Sequence, residues 1–83
     1  MTTMTASIIF DESCVFDGFS ITYRLHDNIS KSILIAECFR RLENVLDSLN
    51  LNKLKHILKN ECFVIKSPID NIQDGETIYI SQL

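Results

Sequence analysis

Eighty-three residues form one small domain, 1–83, with no room for a second. With 46% hydrophobic residues, five Phe and two Tyr, the chain can build a single modest core. A formal net charge of −3 argues against a general nucleic-acid binder, which needs a dominant basic face.

Residues 1–5 are expected to fray, and Ala6-Ser-Ile-Ile-Phe10 reads as a first strand. In the next strand Phe19, Ile21, Tyr23 and Leu25 alternate with Ser20, Thr22 and Arg24. Asp17-Gly18 between the two signals a hairpin, because Gly accepts a positive φ cheaply. A strict two-residue turn would bury Glu12, so a bulge or loop is expected around residues 11–16. His26-Asp27-Asn28 breaks the strand, and Asn28 or Ser30 can cap a helix spanning about residues 29–49. Its apolar stripe is Ile35, Cys38/Phe39, Leu42, Val45/Leu46 and Leu49, and Glu37 to Arg41 is a favourable i,i+4 pair.

Asn50-Leu51-Asn52 ends that helix. Lys53–Leu58 is assigned as a strand, with Leu54, His56 and Leu58 on one face and Lys53, Lys55 and Ile57 on the other. Continued helix is the rival, because Leu51, Leu54, Ile57 and Leu58 also make a helical stripe. Lys59-Asn60-Glu61 reads as a turn, Cys62–Ile65 as a short strand ended by Ser67-Pro68, and residues 69–75 as a loop. Asp74-Gly75 then supplies a tight turn into a last strand over 77–82, with Ile78 and Ile80 on one face. The expected order is β-β-α-β-β-β: an α+β domain with four or five strands packed on one long helix, first and last strands parallel at the centre.

That order resembles the ubiquitin-like β-grasp family. Ser20–Leu25 followed by Asn28-Ile29 is similar to the second strand and helix entry of ubiquitin-like proteins. Asn60–Phe63, Pro68-Ile69 and Asp74-Gly75-Glu76-Thr77-Ile78 resemble the ends of small sulfur carriers, namely the thiamine sulfur carrier and the small subunit of molybdopterin synthase. The tail-less ubiquitin-like proteins of type VII secretion are similar too. The sulfur-carrier resemblance implies chemistry at a terminal Gly-Gly, whose missing side chains pass a narrow enzyme channel. Ile80-Ser81-Gln82-Leu83 departs from that pattern, so a working carrier is not expected of this chain as written, and the first alternative function is a sulfur-carrier or molybdopterin-synthase small-subunit-like protein with a lost or removed Gly-Gly tail.

The resemblance directs attention to the sheet face opposite the helix, the usual docking surface of ubiquitin-like proteins. Alternation places Arg24, Lys55, Ile57 and Tyr79 there, an apolar pair rimmed by cations and suited to another protein. An ordinary solvated sheet face is the plain alternative. Lys53, Lys55, His56, Lys59 and Lys66 form a basic run, but without Arg and aromatic interleaving no nucleic-acid partner is expected; solubilising lysines account for it. Asp47-Ser48-Leu49 resembles the tripeptide around the phosphopantetheine serine of acyl carrier proteins, making Ser48 a possible prosthetic-group attachment site, although the β-rich segment upstream departs from that family.

No nucleophile–base constellation is visible, and His56 between Leu54 and Leu58 reads as a partly buried histidine, so no enzyme is expected. Cys14, Cys38 and Cys62 are odd in number and lack ligand spacing; with only His26 and His56 beside them, neither a metal nor a cofactor is expected. Buried thiols in a reducing cytoplasm are the simplest reading. Residues 1–7 lack a basic region followed by an apolar run, and no stretch approaches the ~20 apolar residues of a membrane span.

Overall fold

The computed structural model describes residues 3–67 and 70–83. The elements are β1 (Met4–Phe10), β2 (Ser20–Leu25), α1 (Lys31–Ser48), α2 (Asn52–Asn60), β3 (Phe63–Ile65) and β4 (Glu76–Gln82). This is an α+β arrangement, with a four-stranded mixed sheet ordered β2-β1-β4-β3 and two helices. β1 and β4 run parallel at the centre, as the sequence led us to expect, and β2 and β3 flank them antiparallel.

Period-two patterning explains the sheet. Ala6, Ile8 and Phe10 of β1 and Ile78 and Ile80 of β4 are buried, and alternate residues point to the other face. The β1–β2 connection is a loop over 11–18, as the exposure of Glu12 demands. Phe10 N–H donates to Phe19 O and Gly18 N–H donates to Phe10 O, so Gly18 and Phe19 oppose one residue. Gly18 has φ 86°, which makes this a bulge of the glycine type. At the lower end of the sheet Gly75, at φ 78°, donates to Thr5 O, while Thr5 N–H donates to Asp74 Oδ1 at 2.9 Å. Met4 and Thr5 are therefore held in β1, which corrects the expected fraying for those two; residues 1 and 2 of that expectation lie outside the described residues.

α1 starts where Ser30 Oγ accepts from Ile33 N at 3.3 Å. Its buried stripe is Leu34, Cys38, Leu42 and Leu46, with Ile35 and Phe39 packed beside it; Cys38, Leu42 and Leu46 were read from the sequence, Leu34 was not, and Val45 and Leu49 are exposed instead. The i,i+4 pair also shifts, because Glu37 binds Arg40 one turn on rather than Arg41. Leu51 N–H donates to Leu46 O, Asn50 N–H donates to Asp47 O, and Asn50 adopts φ 57°. Those bonds form a Schellman cap, with Asn taking the left-handed position usual for Gly.

The rival reading of 53–58 is the observed one. The segment is helix α2, so the single long helix and the strand over 53–58 are both corrected. Leu58 is buried and Leu54 and Ile57 pack against the core, the spacing of one helical face. His56 is exposed and hydrogen-bonded to Asn60, not partly buried. Lys55 Nζ meets Asp47 Oδ1 at 2.6 Å and Lys59 Nζ meets Glu43 Oε1 at 3.0 Å. That pairing order sets α2 running back along α1. Lysines at 53, 55 and 59 are also good helix formers. The expected stop at Ser67-Pro68 and the start of the loop at 69 fall partly outside the described residues.

Both helices cover one face, and the core between layers is aromatic at its centre. Phe10 makes ring contacts with Phe16, Phe19, Phe39 and Phe63 at centroid distances of 5.6–6.1 Å, so all five phenylalanines share one cluster. Beside it, Lys31 Nζ lies 2.5 Å from Glu76 Oε2 and 2.5 Å from Ser67 Oγ, with only 6% of the lysine side chain exposed. This pair ties the first turn of α1 to the first residue of β4. Removing one partner leaves a desolvated charge, so Lys31→Met or Glu76→Gln should cost about 3 kcal/mol in denaturant unfolding. The Lys31 ammonium, then the Gln73 N–H, hold the Glu76 carboxyl below its ordinary value of 4.5. A depressed folded-state value means that the stabilisation is complete above pH 4.5 and fades as pH falls through the lower folded value. Acid titrations of wild type should therefore show a loss in that window that Glu76→Gln lacks.

Candidate interaction surface

Among the described residues, no helix covers the face of the sheet opposite α1 and α2, and the 11–18 loop closes only its upper end. Strand register places its residues in rows across the sheet. Ser20, Ile9, Tyr79 and Lys66 form one row, since Ile9 is the Cα partner of both Ser20 and Tyr79, and Lys66 N–H donates to Tyr79 O. Thr22, Ser7 and Thr77 form the next, with Ser7 Oγ and Thr22 Oγ1 2.9 Å apart. Arg24 and Thr5 form the third. Tyr79 is 50% exposed, Val64 beside it on β3 is 36% exposed, and Ile9, its register partner on β1, is half-buried. The surface is thus a small apolar centre of Tyr79, Ile9 and Val64, bordered by hydroxyls and Lys66.

Of the four residues expected on this face, Arg24 and Tyr79 are there. They stand two strands and four register positions apart, about 16 Å by standard sheet spacings. Lys55 and Ile57 are not on the sheet. They belong to α2, where Lys55 pairs with Asp47 and Ile57 packs inward. Ile9, Val64 and Lys66 replace them; alternation of Thr5, Ser7 and Ile9 was the available signal for the first. Ser48 is the exposed last residue of α1, at the end of the helix dipole that favours cations over a phosphate arm. The basic run is divided between α2 and the segment after β3, with Lys55 and Lys59 engaged by carboxylates.

The upper end of the face is closed by the 11–18 loop. Asp11 accepts from Ser13 N–H and Ser13 Oγ and from the Ser81 hydroxyl, and Ser13 Oγ accepts from Gln82 N–H at 3.0 Å. The bonds from Ser13, then Ser81, lower the Asp11 carboxyl from its ordinary value. These groups are consumed by one another and hold the loop on β4.

Two grooves flank α1. One, of about 460 Å3, is lined by Ile35, Ala36, Phe39 and Ile65 with Lys31 and Ser67 at its polar end. Ser67 there accepts from Lys31 Nζ, which also binds Glu76. The second groove, of about 610 Å3, lies between β2 and α1 and is lined by Tyr23, Leu25, Ile29, Ile33, Ala36 and Arg40 among others. The Tyr23 hydroxyl is buried and meets no hydrogen-bond partner among the described residues. Desolvation raises its pKa, and Arg41 is near enough to oppose part of that rise.

Among the described residues, no group of three or more His, Cys, Asp or Glu is placed to hold a metal, and no helix is long and apolar enough to cross a membrane. Comparisons with protein-family models, with curated proteins and with solved structures gave no match.

The thiols differ sharply. Cys14 and Cys38 are buried and Cys62 is exposed; desolvation raises the Cys14 thiol and pushes Cys38 up to about 11. A chromogenic disulfide reagent at pH 8 should titrate one thiol in the native protein and all three after denaturation. Fast native reaction at Cys38 would contradict this packing. Tyr23→Phe removes an unsatisfied buried hydroxyl and should leave stability unchanged or raise it by about 1 kcal/mol in urea melts.

Proposed function

We propose that this chain is a non-catalytic, ubiquitin-like protein-interaction module of β-grasp architecture, and that it binds another protein through its open sheet face. The strand order β2-β1-β4-β3, with first and last strands parallel at the centre and a helical layer on one side, supports the β-grasp reading. The observation that carries the binding role is the row Ser20–Ile9–Tyr79–Lys66. It sets a half-exposed aromatic ring against an aliphatic neighbour on a rigid central pair of strands, with a cation at the rim. A Tyr ring loses little conformational freedom on binding and offers both apolar area and a hydroxyl, which suits it to anchor an interface. The surrounding Ser and Thr side chains keep the face soluble when free. Free buried thiols fit a reducing compartment such as the cytoplasm.

Ile9→Arg combined with Tyr79→Ala alters only outward-facing positions, so the fold should persist by circular dichroism. Affinity capture followed by photo-crosslinking from a probe at Thr77 should yield a partner adduct with the wild-type face and none with the double variant. A control change on α2, His56→Ala, should leave the adduct intact. Equal crosslinking by the folded double variant would reject the open face as the docking surface.

A further inference from the structure

The two edges of the sheet are guarded differently. β3 spans only Phe63–Ile65 and so offers a short outer edge. β2 has six residues, with no Pro, no Lys and no charge on its inward face. Its outward backbone groups follow from the register. Thr5 O accepts from Gly75 and Asp11 N–H donates to Ile80 O, so odd-numbered residues at the ends of β1 bond toward β4 and even-numbered ones toward β2. Phe10–Phe19 is the first bonded pair, so Ile8–Ile21, Ala6–Tyr23 and Met4–Leu25 follow by alternation. The N–H and C=O groups of Ser20, Thr22 and Arg24 therefore point off the sheet.

We propose that this edge pairs antiparallel with the β2 edge of a second copy of the chain, about a two-fold axis at Thr22, joining two four-stranded sheets into one. The set Ser20, Thr22 and Arg24 is symmetric about Thr22. A two-fold there brings Thr22 opposite Thr22 and Ser20 opposite Arg24, and every outward group finds a partner, giving about six hydrogen bonds. It also keeps outward side chains opposite outward ones, and Ile21 falls opposite Tyr23 on the helix side. A register centred on Tyr23 gives only about four bonds and brings the two Arg24 side chains closer together. The Thr22 register is therefore the preferred one.

The groove beside the edge fits the same occupant. Its floor is apolar, and Ile33 at its rim is 60% exposed. Its charged members, Glu37 and Arg40, are of opposite sign and one turn apart on α1. A neutral lining does not select an acidic or a basic peptide. Glu37 and Arg40 already bond each other within the chain, so the rim carries no net charge that a second copy would have to meet with its like. A six-residue edge and one groove make a small interface, so the dissociation constant should be of micromolar order.

Sedimentation velocity from 5 µM to 500 µM, values on the order of the affinity expected of so small an interface, should show a monomer–dimer equilibrium. Thr22→Pro removes an N–H that points away from β1, and Pro is tolerated on an edge strand, so the fold should survive while dimerisation weakens at least about tenfold. Ile33→Lys, at an exposed helix position, should weaken it independently. In hydrogen exchange the amides of Ser20, Thr22 and Arg24 should slow as concentration rises, while those of Ile21 and Tyr23 stay unchanged. A monomer at every concentration overturns the proposal. So does a dimer indifferent to Thr22→Pro, or slowing of those three amides only when a foreign strand peptide is added to a monomeric chain. Although Ser20 and Thr22 also border the face carrying Tyr79, self-association of the chain alone is read without the partner proposed for that face, so failure of either reading leaves the other standing.

Discussion

The parallel ladder between β1 and β4 is the constraint on which the rest of the structure depends. It joins the first strand to the last, from Ala6 with Glu76 to Phe10 with Ile80, so nearly the whole chain must be laid down between its members. Parallel neighbours cannot be joined by a tight turn; the intervening chain has to cross over, and a helical layer is how it does so. The ladder's two ends are closed by separate devices. Below, Asp74 and Gly75 exchange bonds with Thr5; above, Asp11, Ser13 and Cys14 bind the carbonyl, hydroxyl and amide groups of residues 80–82. Lys31 and Glu76 then fix where the crossover meets the ladder.

Placing those strands at the centre decides what is left for function. Both helices pack on the Phe10 side, so the other face stays open, and the edges fall to β2 and β3. A stable core and a candidate binding surface are therefore two sides of the same pair of strands: Ile8 and Phe10 point into the core while Ile9 points out of it, and Ile78 and Ile80 flank Tyr79 in the same way. An outward substitution on these strands changes the surface while leaving the buried residues on either side in place.

The strands that alternate cleanly were legible in the sequence, and with them the positions of Arg24 and Tyr79. The second helix, assigned as a strand with helix as the rival, was not, for a specific reason. Residues 51–58 satisfy both periods: Leu54, His56 and Leu58 alternate, while Leu51, Leu54, Ile57 and Leu58 follow a helix. What decides is tertiary. Asp47 and Glu43 on α1 stand ready to receive Lys55 and Lys59, and the Asn50 cap turns the chain back along α1. Once that segment is helical, Lys55 and Ile57 leave the sheet, and the apolar patch must be rebuilt from Ile9 and Val64. The Lys31–Glu76 pair was invisible for another reason: no local pattern marks a lysine that folds into the interior to meet a carboxylate 45 positions away.

Open face and free edge lie at right angles, and this matters for how they combine. Pairing at β2 extends the sheet without covering its face. Two copies joined there would carry Tyr79 on strands five spacings apart and, in the Thr22 register, four residue positions apart along them, about 27 Å by standard sheet spacings, on one continuous surface. A partner with two matching sites at that span would bind the second intramolecularly, gaining avidity from a face that is small taken singly. A partner with one site would gain nothing. The modest apolar centre of Tyr79, Ile9 and Val64 is then no weakness, because the sheet edge rather than the face would set the strength of binding.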